Sequence, residues 1–374
     1  MPVKGLEGPQ GSMRRCVVRF GVLAATVLLT VAVAELLLRT FMPLRLAGYQ
    51  RAYQYDADLG YRLRSNLNYL RTTDFQAELR TNWIGSVNFQ ESFGHYETLV
   101  FTLGDSYTQG TGLRPDAAYP FQLDLFLNAD SDGYHPRFGI VNLGLAAFGM
   151  EQSMIALERF RSDVGTPRYV LFLGSKNDYD DDQLFLSGYR HGHIVEGSPT
   201  FGAWVAPLQW LTLDFEIGKR VKIGAGKLRR MASLPRKAAE AATEDGTATR
   251  TRQIHAVTDN VASLEAQRFE RLLQMSRDMD AELIVSWTGW DGTQSDAYSW
   301  LRSWAEERSV RFADWQPRVM SMKEAIPSLR FNNPHSAGHY QTWVNRLIAD
   351  TYGEQVLAAE AERTAKQASL GKTP

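Results

Sequence analysis

The residues best suited to chemistry are a serine and two histidines that lie far apart in the sequence. Ser106 follows Gly104 and the apolar run 99–103, so it stands where a buried strand would end. Residues at the carboxyl ends of parallel strands face the crevice in which α/β proteins bind ligands. A serine hydroxyl needs a neighbouring base to act as a nucleophile near neutral pH, and His335 and His339 are the candidates. The pattern favours acyl-transfer chemistry, and the alternative is a serine that only caps the next segment.

Two further segments place polar turns after apolar runs. Gly144 follows the run 138–143, and Asn177 follows the run 169–173. With the GDSYT segment around Ser106, these blocks resemble the SGNH/GDSL hydrolase superfamily. The resemblance implies that Ser106 is the nucleophile, and that its own N–H, the Gly144 N–H and the Asn177 side chain hold the oxyanion. Ser175 stands where the family has glycine, which predicts a local difference in that turn.

The last block, NNPHSAGH at 332–339, resembles the family's D-x-x-H or D-x-H followed by G-H. The resemblance implies that His335 is the catalytic base and His339 a partly structural residue. Asn332 and Asn333 occupy the two positions at which the family has aspartate. Asparagine can orient an imidazole but cannot stabilise imidazolium by charge. Three outcomes are open: a Ser–His dyad of lower activity, a different carboxylate such as Asp314, or an inactive site.

The elements that would position these residues alternate along the chain. Apolar strands are predicted at 99–103, 138–143, 169–173, 283–287 and 310–312, and helices at 119–127, 151–160, 261–279, 297–307 and 336–351. Strands that are apolar throughout are typical of a parallel sheet covered on both faces. The sequence therefore predicts an α/β protein, a three-layer α/β/α sandwich of SGNH or flavodoxin-like type with a central parallel sheet.

The N-terminus carries an apolar run at residues 20–38 in which Glu35 is the only charge. At about 1.5 Å per residue this run is nearly long enough to cross a hydrocarbon core. Lys4, Arg14, Arg15 and Arg19 precede it, which favours a cytoplasmic N-terminus. A transmembrane signal anchor is the preferred interpretation, and a cleaved signal peptide, with Ala32-Val33-Ala34 as its processing site, is the alternative. Both export the remainder of the chain.

The expected organisation has five parts. These are a cytoplasmic N-terminus at 1–19, the anchor at 20–38, a juxtamembrane lead-in at 41–96, an SGNH domain at 97–353 interrupted by an insertion at 180–257, and a flexible tail at 354–374. The lead-in sequence YDADLGYRLRSNLN resembles membrane-anchored superfamily members associated with cell-envelope polysaccharides. It is expected to form short strands packed on the main domain.

The composition of the chain limits the classes of function that it can have. The net charge of −1 gives no field that would recruit nucleic acid. The single cysteine, Cys16, permits neither an internal disulfide nor a cysteine-based zinc site. We expect an extracytoplasmic, single-pass membrane esterase acting on a small-molecule or glycan ester, without metal or organic cofactor. An O-acetyltransferase of an exported polysaccharide and a non-catalytic glycan-binding pseudo-enzyme are the alternatives. The sequence leaves the oligomeric state undetermined.

Overall fold

The computed structural model describes residues 9–44, 46–47, 52–71, 77–130, 137–186, 211, 215–225, 228, 259–289, 296–333 and 338–370. The helices are α1 (Pro9–Phe41), α2 (Ser106–Gln109), α3 (Tyr119–Leu127), α4 (Met150–Val164), α5 (Asp178–Leu186), α6 (216–225), α7 (Asp259–Asp278), α8 (Asp296–Glu307), α9 (Gln316–Ala325) and α10 (Thr342–Leu370), with a 3₁₀ turn at Pro115–Ala117. The strands are β1 (Leu46–Ala47), β2 (Tyr53–Asp56), β3 (Gly60–Leu63), β4 (Asn68–Arg71), β5 (Ala77–Arg80), β6 (Thr98–Gly104), β7 (Phe138–Asn142), β8 (Tyr169–Gly174), β9 (Glu282–Trp287) and β10 (Arg311–Phe312).

The chain divides into two compact units. One contains residues 1–46 with 201–246, and the other contains residues 47–200 with 247–374. The second unit is built on a five-stranded sheet in the order β10-β9-β8-β6-β7. All neighbouring strands are parallel, and Phe101 of β6 lies between Val141 of β7 and Val170 of β8. The predicted central parallel sheet is confirmed.

Both faces of this sheet are buried. Alternate strand residues, such as Val170 and Phe172 in β8, enter one core with residues of α4, α7 and α8. The intervening residues, such as Leu171 and Leu173, enter a second core with residues of α3, α9 and α10. Since successive side chains in a strand point to opposite faces, strands with apolar residues at every position need helices on both sides. The predicted three-layer α/β/α sandwich is confirmed.

The lead-in strands β2 to β5 belong to the same unit as this sandwich and pack against it. β2 pairs with β3, and β4 pairs with β5, in antiparallel register. Tyr53, Tyr61 and Leu63 lie in the first core. Asp56 accepts two hydrogen bonds from Arg159 of α4, at 2.6 and 2.8 Å. The lead-in strands therefore complete one face of the α/β layer, as the sequence predicts.

The C-terminal helix differs from the prediction at both ends. It begins at Thr342 instead of 336 and continues to Leu370 instead of 351, so most of the predicted flexible tail at 354–374 is helical. Val356 is buried in the second core. Glu360 is also buried, and accepts hydrogen bonds from Arg137 at 2.7 Å and from the Tyr169 hydroxyl at 2.6 Å. These contacts hold the helix past the predicted end.

The predicted insertion at 180–257 is described only in part. α5 runs through its first residues, to Leu186, and α6 lies within it, while residues 187–210, 212–214, 226–227 and 229–257 lie outside the described residues. In the first unit, α1 contains the segment Val17–Phe41, which is long and apolar enough to cross a membrane and is almost entirely exposed. A signal sequence would have the same properties.

Candidate active site

Ser106 is held at the carboxyl edge of the sheet by a tight turn. β6 ends at Gly104, whose φ is +140°. A Cβ at that position would lie 2.5 Å from the Thr108 hydroxyl, so only glycine is accommodated. Asp105 then caps α2 by accepting the Tyr107 N–H at 2.9 Å. Because Ser106 is the first residue of this helix, its own N–H has no acceptor one turn earlier and is available to an incoming carbonyl oxygen.

The imidazole that meets this serine belongs to His339. Its Nε2 lies 2.7 Å from the Ser106 Oγ, which is within hydrogen-bond reach for proton transfer. The Asn333 N–H donates to the His339 carbonyl at 2.6 Å, and Asn332 forms a β-bridge with Tyr340. The Tyr107 ring also packs against the imidazole, with ring centroids 5.0 Å apart. The histidine is therefore fixed by backbone pairing as well as by side-chain packing.

His335 lies outside the described residues, so the prediction that it is the base remains a prediction. The structure brings His339 to Ser106, although the sequence resemblance gave His339 a partly structural role. The spacing of the asparagines favoured His335, because Asn332 stands three residues before it. The local sequence signal for His339 is the preceding Gly338, which in the structure has a φ of +92°, a conformation that favours glycine.

Two of the three residues proposed to orient the base, Asn333 and Asp314, make side-chain hydrogen bonds elsewhere. The Asn333 side chain donates to the Gly112 carbonyl at 3.2 Å. The Asn332 side-chain oxygen is buried and has no hydrogen-bond partner among the described residues. Asp314 accepts from the Tyr298 hydroxyl at 2.8 Å and follows β10, an edge strand that two others separate from β6. Asp314 therefore contacts residues at that edge of the sheet, and the structure gives no support to its use as the carboxylate that orients the catalytic histidine.

The two predicted oxyanion donors beyond Ser106 lie near it but already have acceptors. The Gly144 N–H donates to the Asn142 side chain at 3.0 Å. A Cβ on Gly144 would lie 2.4 Å from the Thr108 side chain, so Gly144 abuts the helix that carries the nucleophile. The Asn177 amide donates to Asp105 at 3.1 Å and to Asp181 at 2.6 Å. A substrate carbonyl would have to share or replace these acceptors.

The loop after Gly144 is held on both sides of one residue, Ala146, that sequence reasoning did not single out. The Ala146 N–H donates to the Gln109 side chain at 2.9 Å, and the Tyr61 hydroxyl donates to the Ala146 carbonyl at 2.6 Å. The next residue, Ala147, has a φ of +60°, a conformation that costs a residue with a Cβ of order 1 kcal/mol. These two hydrogen bonds form a clamp that joins the lead-in, the loop and the nucleophile helix and holds this strained turn in place.

A buried carboxyl cluster supports the turn that contains Asn177. The Ser175 hydroxyl oxygen lies 2.9 Å from Asp105, 3.0 Å from Asp178 and 2.6 Å from the Asn177 side-chain oxygen. Ser175 has one proton to donate, so a carboxyl group must supply a second proton if more than one of these contacts is a hydrogen bond. Burial raises the pKa of Asp105, and burial together with the charge of Asp105 raises the pKa of Asp178 well above its usual value.

This arrangement explains the unusual Ser175. The serine hydroxyl connects the turn to Asp105, which caps the nucleophile helix, where a glycine could make no such bond. Among the described residues, no group of three or more His, Cys, Asp or Glu side chains is arranged to hold a metal ion.

The structure thus combines an α/β/α sandwich with a Ser106–His339 pair at the carboxyl edge of its parallel sheet. No family model and no curated protein matches the chain. Three of the solved structures that are similar to it are the following. A lipolytic protein of the G-D-S-L family from Veillonella parvula is 9% identical, with a TM-score of 0.38 over 69% of this chain and 97% of that one. A putative GDSL-like lipase from Parabacteroides merdae is 13% identical, with a TM-score of 0.38 over 72% and 97%. Axe2, an acetylxylan esterase from Geobacillus stearothermophilus, is 13% identical, with a TM-score of 0.36 over 71% and 94%.

Proposed function

We propose that the protein is a membrane-tethered serine esterase that hydrolyses an acyl ester outside the cytoplasm through an acyl-enzyme. The observation that carries the proposal is the 2.7 Å contact between the Ser106 hydroxyl and the His339 imidazole, at the carboxyl edge of a parallel sheet. A general base in this position typically contributes 10²- to 10⁴-fold in rate.

In the first half-reaction, His339 Nε2 takes the proton of Ser106 as the Ser106 Oγ forms a bond to the ester carbonyl carbon. The negative charge moves to the carbonyl oxygen, where the Ser106 N–H stabilises it. Gly144 and Asn177 add donors once Asn142 and the neighbouring carboxyl groups release them. Loss of one such donor typically costs 10²- to 10³-fold. Collapse of the intermediate breaks the bond to the alcohol, which leaves with the proton from His339.

In the second half-reaction, His339 takes a proton from water, and the hydroxide forms a bond to the acyl carbon. The bond to Ser106 then breaks, and the serine oxygen recovers its proton from the imidazole. Acid and ordinary enzyme are released, so the chemistry balances with water as the only co-substrate. If a sugar hydroxyl replaced water, the same site would act as an O-acyltransferase.

The membrane tether is supported by α1. Its segment Val17–Phe41 is apolar apart from Arg19, Glu35 and Arg39, and Lys4, Arg14 and Arg15 precede it. Positive charge on the N-terminal side of a span favours a cytoplasmic N-terminus, so the catalytic unit lies on the opposite side. The lead-in resemblance to envelope-polysaccharide proteins supports an O-acylated glycan as substrate. A small-molecule ester would use the same catalytic residues.

The test is an esterase assay on the full-length protein in detergent or nanodiscs, with a chromogenic acetyl ester. We expect acetate release that Ser106→Ala abolishes. Addition of deacetylated oligosaccharide distinguishes the acceptor, because a transferase would form acetylated sugar at the expense of free acetate. The non-catalytic glycan-binding alternative would be supported if the folded protein released no acetate and made no acetylated sugar, and if Ser106→Ala changed neither result.

A further inference from the structure

Glu35, the one charged residue in the apolar run, is bound to a second helix. Its carboxylate accepts the backbone N–H groups of Glu216 at 2.9 Å and Ile217 at 3.1 Å, and Arg39 pairs with it at 3.0 Å. Glu216 and Ile217 begin α6, so the carboxylate caps the N-terminus of that helix. A carboxylate at this position satisfies exposed N–H groups and is stabilised by the helix dipole.

The contact is reciprocal. The buried Glu216 side chain accepts the Leu44 N–H at 2.9 Å, just beyond the end of α1. Lys219 donates to the Leu44 carbonyl at 2.8 Å, and Arg220 donates to the Met42 carbonyl. Each helix therefore supplies a carboxylate to backbone N–H groups of the other segment, and α6 also supplies cations to the last carbonyls of α1. These bonds set α6 at a defined height along α1.

That height matches the edge of a bilayer. At 1.5 Å per residue, the apolar segment Val17–Phe41 is about 37 Å long, against a hydrocarbon core of about 30 Å. Glu35 lies about 9 Å before the end of the helix. In a span centred on the bilayer, it lies about 5 Å inside the outer boundary of the core. Amphipathic helices in the plane of the interface bury their apolar face about 5–10 Å deep.

The surface of α6 has the chemistry that this depth requires. Val221 is 64% exposed, and Leu228, beyond the described end of α6, is 69% exposed. Lys219, Arg220 and Lys222 outnumber the single acidic residue of the helix, Glu216. Exposed apolar side chains on a basic helix that is bonded to a membrane span fit acyl chains on one side and anionic headgroups on the other.

We propose that α6 is a second membrane attachment of the chain. It lies in the plane of the interface on the extracytoplasmic side of the bilayer that α1 crosses, with Val221 among the acyl chains and Lys222 at anionic phospholipid headgroups. The proposal rests on the membrane tether of the proposed function. Part of the predicted insertion thus returns to the membrane, so the chain contacts the bilayer both at α1 and at α6.

The test measures the depth of spin labels in the full-length protein, reconstituted into vesicles of phosphatidylcholine with and without phosphatidylglycerol. Cys16→Ser removes the only cysteine. Single labels are then placed by Val221→Cys, by Val31→Cys in α1 and by Leu125→Cys in α3, whose native side chains are 64%, 46% and 48% exposed. Collision rates with oxygen and with a water-soluble nickel complex report the depth of each label.

We expect the Val221 label about 5–10 Å below the headgroups, the Val31 label deeper and the Leu125 label in water. Phosphatidylglycerol should deepen the Val221 label, Lys222→Gln should remove that effect, and Glu35→Ala should move the label toward water. A Val221 label in water with the Val31 label in lipid would overturn the interfacial helix alone. Both labels in water would overturn the tether as well. Insensitivity to phosphatidylglycerol would overturn the role of Lys222.

Discussion

Removal of the Tyr61 hydroxyl tests whether the lead-in positions the catalytic loop. Tyr61 is 3% exposed, and its hydroxyl donates to the Ala146 carbonyl at 2.6 Å. Tyr61→Phe keeps the ring and its packing but leaves that carbonyl without the hydroxyl. Gln109 still holds the Ala146 N–H, so the variant releases one side of the clamp and leaves the other in place.

The size of the effect follows from the contacts. A buried acceptor that loses its donor costs about 1–3 kcal/mol; since this hydrogen bond is only partly buried, the free energy of unfolding should fall by roughly 1 kcal/mol. The released loop includes Ala147 in a left-handed conformation and begins at Gly144. Complete loss of an oxyanion donor would cost 10²- to 10³-fold. Since one side of the clamp remains, we expect about a 10-fold fall in kcat, equivalent to about 1.4 kcal/mol.

The assay compares kcat for acetyl-ester hydrolysis with the thermal stability of the same preparation. Tyr169→Phe is the matched control, because its buried hydroxyl also makes a 2.6 Å hydrogen bond, to Glu360, at the opposite end of β8 from the site. We expect both variants to lose stability and only Tyr61→Phe to lose activity. Equal activity of the two variants would refute the positioning role of the clamp.

Three further predictions concern the site and its support. Gly144→Ala places a Cβ 2.4 Å from the Thr108 side chain, so it should destabilise the protein by about 1–3 kcal/mol and lower esterase activity more than 10-fold; unchanged activity and melting temperature would contradict the close packing. Burial raises the pKa of Asp182 to about 7, so the folded chain binds a proton that the unfolded chain, with a carboxyl pKa near 4, releases. The free energy of unfolding should therefore fall as pH rises from about 4 to 7, by at most about 1.4 kcal/mol per pH unit from this group. When the free energy of unfolding is measured by denaturant titration at several pH values, it should change less with pH in Asp182→Asn than in the unmodified protein. An equal change with pH in both proteins would contradict the assignment. Asp314→Asn should retain wild-type kcat. A loss of 10²-fold or more would show that Asp314 is the carboxylate that orients the catalytic histidine.

The α/β layer could be predicted because its central strands are formed by short, largely apolar runs. Runs such as 99–103 and 169–173 are five residues long, which favours strands buried on both faces over helices, and the helices between them follow from periodicity. The end of α10 could not be predicted, since Glu360 and its neighbours look like a solvated tail. What holds that turn is an ion pair with Arg137, more than 200 positions away in the sequence.

The site could be predicted in part. Ser106, Gly144 and Asn177 each follow a strand, and parallel topology brings strand ends together. The choice between His335 and His339 depended on a short motif in which the asparagine spacing fits His335 and only the preceding Gly338 points to His339. The acceptors of Asn177 and the Ala146 clamp depend on three-dimensional contacts with residues such as Tyr61, for which the sequence contains no local signal.

The most direct test of the catalytic assignment is labelling of the Ser106 hydroxyl by a fluorophosphonate probe, because the probe reacts only with an activated serine. We compare the full-length protein with His339→Gln and His335→Gln, and use Ser106→Ala as the blank. The account predicts a labelling rate reduced about 10²-fold or more in His339→Gln and near that of the unmodified protein in His335→Gln. Loss of labelling in His335→Gln with full labelling in His339→Gln would contradict it.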